Sequence, residues 1–111
     1  LTTRQVGDVT VIDAKGRITL GEGSSDFRDS IKSLVEKGQK NILVNLANIT
    51  YIDSSGIGEM VSGYTTVANA GGKLKLLSLT KRIQDLLQIT KLYTVFEVYD
   101  DEAAGLASFQ S

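Results

Sequence analysis

Asn41-Ile42-Leu43-Val44-Asn45-Leu46 carries its apolar residues with no clean alternation, Ile42, Leu43 and Val44 following one another directly. A strand with one wet face alternates apolar and polar residues. A run like this one suits a central strand covered on both faces, as in a parallel sheet flanked by helices. The flanking sequence agrees. Upstream, Phe27, Ile31, Leu34 and Val35 recur at i, i+4, i+7 and i+8, one face of a helix. Gly38 ends that helix in the usual C-terminal manner. The loop before it, residues 21–26, supplies Ser24 or Ser25 as a cap and Asp26 for the positive end of the dipole. Downstream, Ile57, Met60, Val61, Tyr64 and Ala68 form the inward face of a second helix, ended by Gly71-Gly72.

Further out the alternation of strand and helix continues. Leu74, Leu76, Leu77 and Leu79 mark another long strand. Thr80 is placed to cap a third helix, with Ile83, Leu86 and Leu87 inward. Tyr93 to Tyr99 reads as a strand, and Asp100-Asp101-Glu102 opens a last helix with Ala103, Leu106 and Ala107 on one side. At the start, Val6–Ile12 and Ile18–Leu20 read as two short strands joined by a tight turn at Ala14-Lys15-Gly16. The order β-β-α-β-α-β-α-β-α predicts a single α/β domain over residues 1–111. Its sheet is mixed but mostly parallel, with four or five strands and about four helices.

Composition narrows the chemistry. The chain has 111 residues, 41% hydrophobic and 23% charged, which fits a soluble globular domain. Twelve Lys plus Arg against 13 Asp plus Glu leave a net charge of -1, without the basic excess of a phosphate-neutralising nucleic-acid binder. There is no Cys and no His. This removes disulfides, thiol nucleophiles, Cys-ligated metals, His metal ligands and every His-dependent catalytic triad. No apolar stretch approaches the ~20 residues of a membrane span. The N-terminal Leu1-Thr2-Thr3-Arg4-Gln5 shows no signal-peptide pattern, so the expectation is a cytoplasmic protein without a cofactor or bound metal.

The informative segment follows the central strand: Ala47-Asn48-Ile49-Thr50-Tyr51-Ile52-Asp53-Ser54-Ser55-Gly56-Ile57-Gly58. In such sheets, sites gather at the carboxyl ends of strands. Tyr51 and Ile52 read as anchors of a loop, and Asp53-Ser54-Ser55-Gly56 opens the second helix. Asp and Ser are preferred N-cap residues, which accounts for much of the string. Gly56 and Gly58 add two positions without side chains in the first turns, where another backbone or a ligand can come close. Nucleotide motifs fail on spacing: no G-x-G-x-x-G and no Gly-Lys-Ser/Thr ending is present. Lys81-Arg82 and Lys73 with Lys75 read as solvated faces.

Asn45-Leu46, then Ile52-Asp53-Ser54-Ser55-Gly56-Ile57-Gly58, a helix, Gly71-Gly72 and a Leu-rich strand resemble the STAS domain of bacterial anti-sigma factor antagonists. Ile83 to Leu92 with Lys91-Leu92-Tyr93 is similar to that family's third helix and following loop. The resemblance implies a non-enzymatic, partner-switching protein. In the family the first Ser of the Asp-Ser motif, here Ser54, is phosphorylated by an anti-sigma factor that is also a serine kinase. The unmodified form binds that factor and releases the sigma factor, and a PP2C-type phosphatase resets the switch. The implied partner surface is Asp53, Ser54, Ser55, Gly56, Ile57 and Gly58, together with Thr19 and Glu22. Thr19 stands where the family often has an acidic residue, and Glu22 is its candidate substitute. No direct contact with nucleic acid and no membrane insertion are implied. The alternative within the same fold is a subunit regulating a membrane transporter or lipid-transport complex.

Overall fold

The computed structural model describes residues 1–19, 21 and 24–110, with only the backbone of Ser24. Five strands lie in the order β1-β2-β3-β4-β5: Thr2–Val6, Val9–Ile18, Asn41–Ile52, Lys73–Leu77 and Val98–Tyr99. β1 is antiparallel to β2, and every other pairing is parallel. Four α-helices alternate with them: α1 Ser24–Glu36, α2 Ser54–Asn69, α3 Lys81–Thr90 and α4 Glu102–Ala107. The α/β class, the element order and the mixed sheet are those expected.

β3 is the central strand. Ile42 is flanked by Thr10 of β2 and Leu74 of β4, and Val44 by Ile12 and Leu76. Ile42, Val44 and Leu46 join Phe27, Ile31, Met60, Val67, Ile83 and Leu87 in the larger core, so α1, α2 and α3 cover this face. Leu43 turns the other way, to Val9, Val11 and Leu77. There Tyr99, Leu106 and Phe109, each partly buried, pack over it.

Three expectations about elements are corrected. The first hairpin turns at Gly7-Asp8, not at residues 14–16, because Val6 pairs directly with Val9. Gly7 has φ +60°, the positive value that a two-residue turn with glycine in its first position requires. Gly16, at φ +85°, lies within β2, where the pairing to β3 shifts register between Asp13 and Lys15 and again between Gly16 and Arg17. At both shifts β3 advances one residue more than β2, so the bulges lie in β3 and break its alternation. Second, β3 does not end at Leu46 but runs to Ile52, so residues 47–52 are strand and not loop. Third, only Val98 and Tyr99 of the segment 93–99 are strand. Lys91, in the left-handed conformation at φ 62°, ends α3 and leads into a 3-10 turn at Leu92–Thr94.

Two side-chain expectations also change. In α4 Leu106 packs inward as expected, but its companion is Gly105, set against the Leu43 methyls, while Ala103 and Ala107 are exposed. Lys75 is not solvated: it is 4% exposed. Its Nζ donates to the Ser108 carbonyl at 3.2 Å and the Ser108 hydroxyl at 3.0 Å, and lies 4.7 Å from the centre of the Phe109 ring.

Candidate functional site

The parallel strands deliver their carboxyl ends to one side of the molecule, and α2 begins there. Ile18 at the end of β2 pairs with Ile52 at the end of β3, and Arg17 with Tyr51. Ile52 is fully buried and fixes the point from which the chain leaves the sheet. Asp53 then takes an extended conformation, φ -114° and ψ -175°, and is the N-cap of α2. Its Oδ1 accepts a hydrogen bond from the Gly56 backbone N–H at 2.9 Å, and its carbonyl accepts the first helical bond, from Ile57 N, at 3.0 Å. One carboxylate thereby satisfies a free amide of the first turn and sets the direction of the helix.

Ser54 is the first helical residue and is exposed; Ser55 is half-buried. Among the described residues the Ser54 hydroxyl makes no hydrogen bond, because the capping role belongs to Asp53. Gly58 is exposed, and a Cβ built there meets nothing within 4 Å. Asp53, Ser54, Ser55 and Gly58 thus form a shared, accessible surface. Thr19, half-buried, directly follows β2 at the same end of the sheet. Glu22 lies outside the described residues.

Two of the proposed partner-contact residues face inward instead. Ile57 is 2% exposed and belongs to the core. Gly56 is buried, and a Cβ on it would lie 2.2 Å from the Ile18 carbonyl oxygen and 2.7 Å from Ile52 Cγ1. The backbone that approaches Gly56 is therefore the chain's own β2, not a partner's. Glycine here lets α2 sit hard against the strand end, and so holds Ser54 at the rim.

Arg82, which the sequence reading placed in solvent, is organised at this rim together with Arg17. Arg82, in the first turn of α3, is exposed, yet its Nε donates to the Ile52 carbonyl at 2.8 Å and its guanidinium stacks 4.3 Å from the centre of the Tyr51 ring. The guanidinium of Arg17 stacks on the same ring at 4.8 Å. The nearest sequence signal was an aromatic residue just before the Asp-Ser motif, with one basic residue at the end of β2 and one at the start of α3. On the far side of α2, Arg28 of α1 grips Glu59 with two hydrogen bonds of 2.9 and 3.0 Å, which lowers the Glu59 pKa. Lys81 remains exposed, 3.4 Å from Asp85.

The exposed Ser54 thus stands at a capped helix start, at the carboxyl end of a mixed, mostly parallel sheet. The chain belongs to the STAS domain family, whose pattern matches residues 1–105. It is 30% identical over 80 residues to the anti-sigma-B factor antagonist of Bacillus subtilis, covering 72% of each chain. It is 25% identical over 71 residues to the anti-sigma F factor antagonist of Paenibacillus polymyxa, and spans 61% of that relative's length. These relatives are named for regulatory antagonism and not for a reaction. Among solved structures, a Thermotoga maritima protein superposes with a TM-score of 0.91 at 20% identity, over 99% of this chain and 94% of that one. The Bacillus cell fate determinant SpoIIAA in its phosphorylated form superposes with a TM-score of 0.76 at 18% identity, over 96% of both chains. Among the described residues no helix is long and apolar enough to cross a membrane.

Proposed function

We propose that this chain is an anti-sigma factor antagonist, a non-enzymatic binding protein switched by phosphorylation of Ser54. The observation that carries the reading is the position of Ser54: exposed, first in α2, and relieved of any capping duty by Asp53. Support comes from the names of the relatives and from the existence of a phosphorylated SpoIIAA with the same fold. The partner is an anti-sigma factor with serine kinase activity. It binds the unmodified surface formed by Asp53, Ser54, Ser55 and Gly58, with Thr19 at its edge. The kinase moves the γ-phosphoryl group of ATP to Ser54 Oγ, the hydroxyl proton is lost and ADP leaves. A PP2C-type phosphatase hydrolyses the ester and restores binding.

A phosphate adds about -1.5 to -2 charges. At the start of α2 the helix dipole favours that charge by about 0.3–1 kcal/mol, so the domain stays folded. Across an interface the same charge opposes an acidic partner group. Two like charges ~4 Å apart at an effective dielectric of ~20 repel by about 4 kcal/mol, enough to weaken binding a hundredfold or more.

The test is affinity capture from cells, with and without ATP, followed by intact-mass measurement and fragmentation of the bound chain. The expected result is an ATP-dependent gain of one phosphate on Ser54 and release of the partner. Phosphate on Ser55 alone overturns the residue assignment. A lasting complex with a transporter subunit and no phosphate replaces the antagonist reading with the transporter-associated one.

A further inference from the structure

Arg82 has an arrangement that neither the core nor the α2 cap explains. It is exposed, but it is not a loose surface arginine. Its Nε is committed to the Ile52 carbonyl at 2.8 Å, and the face of its guanidinium rests 4.3 Å from the Tyr51 ring centre. A guanidinium has five N–H donors. Here one is used, and among the described residues no carboxylate lies within ion-pair distance of the others. Tyr51 also carries Arg17, so the ring gathers two cations at the end of β3.

We infer that the stacked Arg82 guanidinium is the receptor, within the same chain, for the phosphate carried by Ser54. This rests on the reading of Ser54 as phosphoacceptor and adds where the phosphate goes. Arg82 holds the carbonyl of Ile52, and Ser54 follows two residues later, at most about 7 Å along the chain. A phosphoserine side chain extends far enough from Ser54 to cover that distance. The remaining Nη donors match two phosphate oxygens in the forked geometry that favours arginine over lysine. Stacking and the bond to Ile52 have already fixed the guanidinium, so little side-chain freedom is left to lose on pairing. Paired with one arginine, the phosphate keeps roughly half to one negative charge at neutral pH. The switched surface is then changed twice: a negative group appears, and a fixed cation stops being available to an acidic partner.

The test uses the full chain with phosphoserine placed at position 54 during translation, so that no kinase is needed. The phosphate is titrated by phosphorus NMR in the parent and in Arg82→Gln, Arg82→Lys and Tyr51→Leu variants. A free phosphoserine loses its second proton near pH ~6. The parent is expected to titrate about 0.5–1 unit below its Arg82→Gln variant, with Arg82→Lys and Tyr51→Leu between them. The helix dipole acts on all four proteins alike, so the difference reports Arg82 alone. Melting curves of the unphosphorylated variants confirm that each is folded. Equal midpoints in the parent and Arg82→Gln overturn the inference. Because the phosphoserine is incorporated during translation, this result is independent of whether any kinase acts on Ser54. Failure of the proposed switch in cells and failure of the Arg82 contact are therefore separate outcomes.

Discussion

Gly56 and Gly58 stand two positions apart in the first turns of α2 and do opposite things. At Gly56 a methyl group would meet the Ile18 carbonyl oxygen at 2.2 Å, a backbone atom that cannot swing aside. Ala is the better helix former by up to ~1 kcal/mol, but overpacking of this kind costs about 1–3 kcal/mol or more and wins. Gly58 meets nothing, so there the helix preference decides. Gly56→Ala is expected to lower the melting temperature by several degrees, and Gly58→Ala to leave it unchanged or raise it slightly. Thermal melts of the two single variants check this, and equal losses would mean that α2 is not seated on β2 as described. Asp53→Ala removes the cap on Gly56 N–H and should cost about 0.5–2 kcal/mol in a denaturant titration, with Asp53→Asn recovering most of it. The sequence made a cap within Asp53-Ser54-Ser55 readable, because cap chemistry is local, and the structure gives that role to Asp53. It did not separate Gly56 from Gly58, since the difference lies in a strand end from far upstream. Arg82 was read as solvated for the same reason: its partners, Ile52 and Tyr51, are about thirty positions away and belong to another element.

At the level of elements, long amphipathic helices were legible and irregular strands were not. Phe27, Ile31 and Leu34 recur with the helical period and are all buried. In β3 beyond Leu46 the buried residues are Ile49 and Ile52, a spacing of three that matches no flat strand. At both register shifts against β2 the extra residue lies in β3 itself, which accounts for that spacing, and no local rule reports it. The weaker face of the sheet is tied by charge. Arg4 of β1 donates to both carboxylate oxygens of Asp13 in β2, at 2.6 and 3.2 Å, and also to Glu102 in the first turn of α4. Asn45 of β3 adds a bond of 2.9 Å to Asp13. Hydrogen bonds from Arg4 hold the carboxyls of Asp13 and Glu102 below their ordinary pKa values. A lowered carboxylate pKa stabilises the fold above the ordinary range, about pH 4–4.5, and that contribution fades as pH falls through the lowered values. The groups are partly exposed, with Arg4 41% and Asp13 27% accessible, so about 0.2–1 kcal/mol is the scale after solvent screening. Arg4→Gln is expected to be less stable than the parent at pH 7 and to converge with it in strong acid. Denaturant titrations at both pH values test this; a constant gap would assign the effect to packing of the arginine stem instead.

Over the whole molecule, three helices load one face of the sheet while a single six-residue helix and a 3-10 turn cover part of the other. The rim bearing Ser54 stands on the heavier side: Ile52, Ile57 and Met60 below it are all core. That placement decides what a charge at position 54 can do. It cannot loosen the core, because Ser54 has no structural bond to lose and the start of α2 tolerates negative charge. Ser54→Ala should therefore melt within about 0.5 kcal/mol of the parent and bind the anti-sigma factor with unchanged affinity, while refusing phosphate. Ser54→Asp should also melt near the parent. Its carboxylate carries only part of the charge of a phosphate, and it is shorter and less bulky, so binding should fall less than with true phosphoserine. The informative comparison sets the three proteins and the phosphoserine form side by side, in melts and in binding titrations at two salt concentrations. If charge runs the switch, the loss shown by the phosphoserine form shrinks as salt rises, since the charges meet at an exposed rim that salt ions can reach. A loss that ignores salt assigns the switch to the bulk of the phosphate at a rim where Gly58 otherwise leaves open space. Phosphoserine protein that binds as tightly as the parent would end the antagonist reading, whatever the melts show.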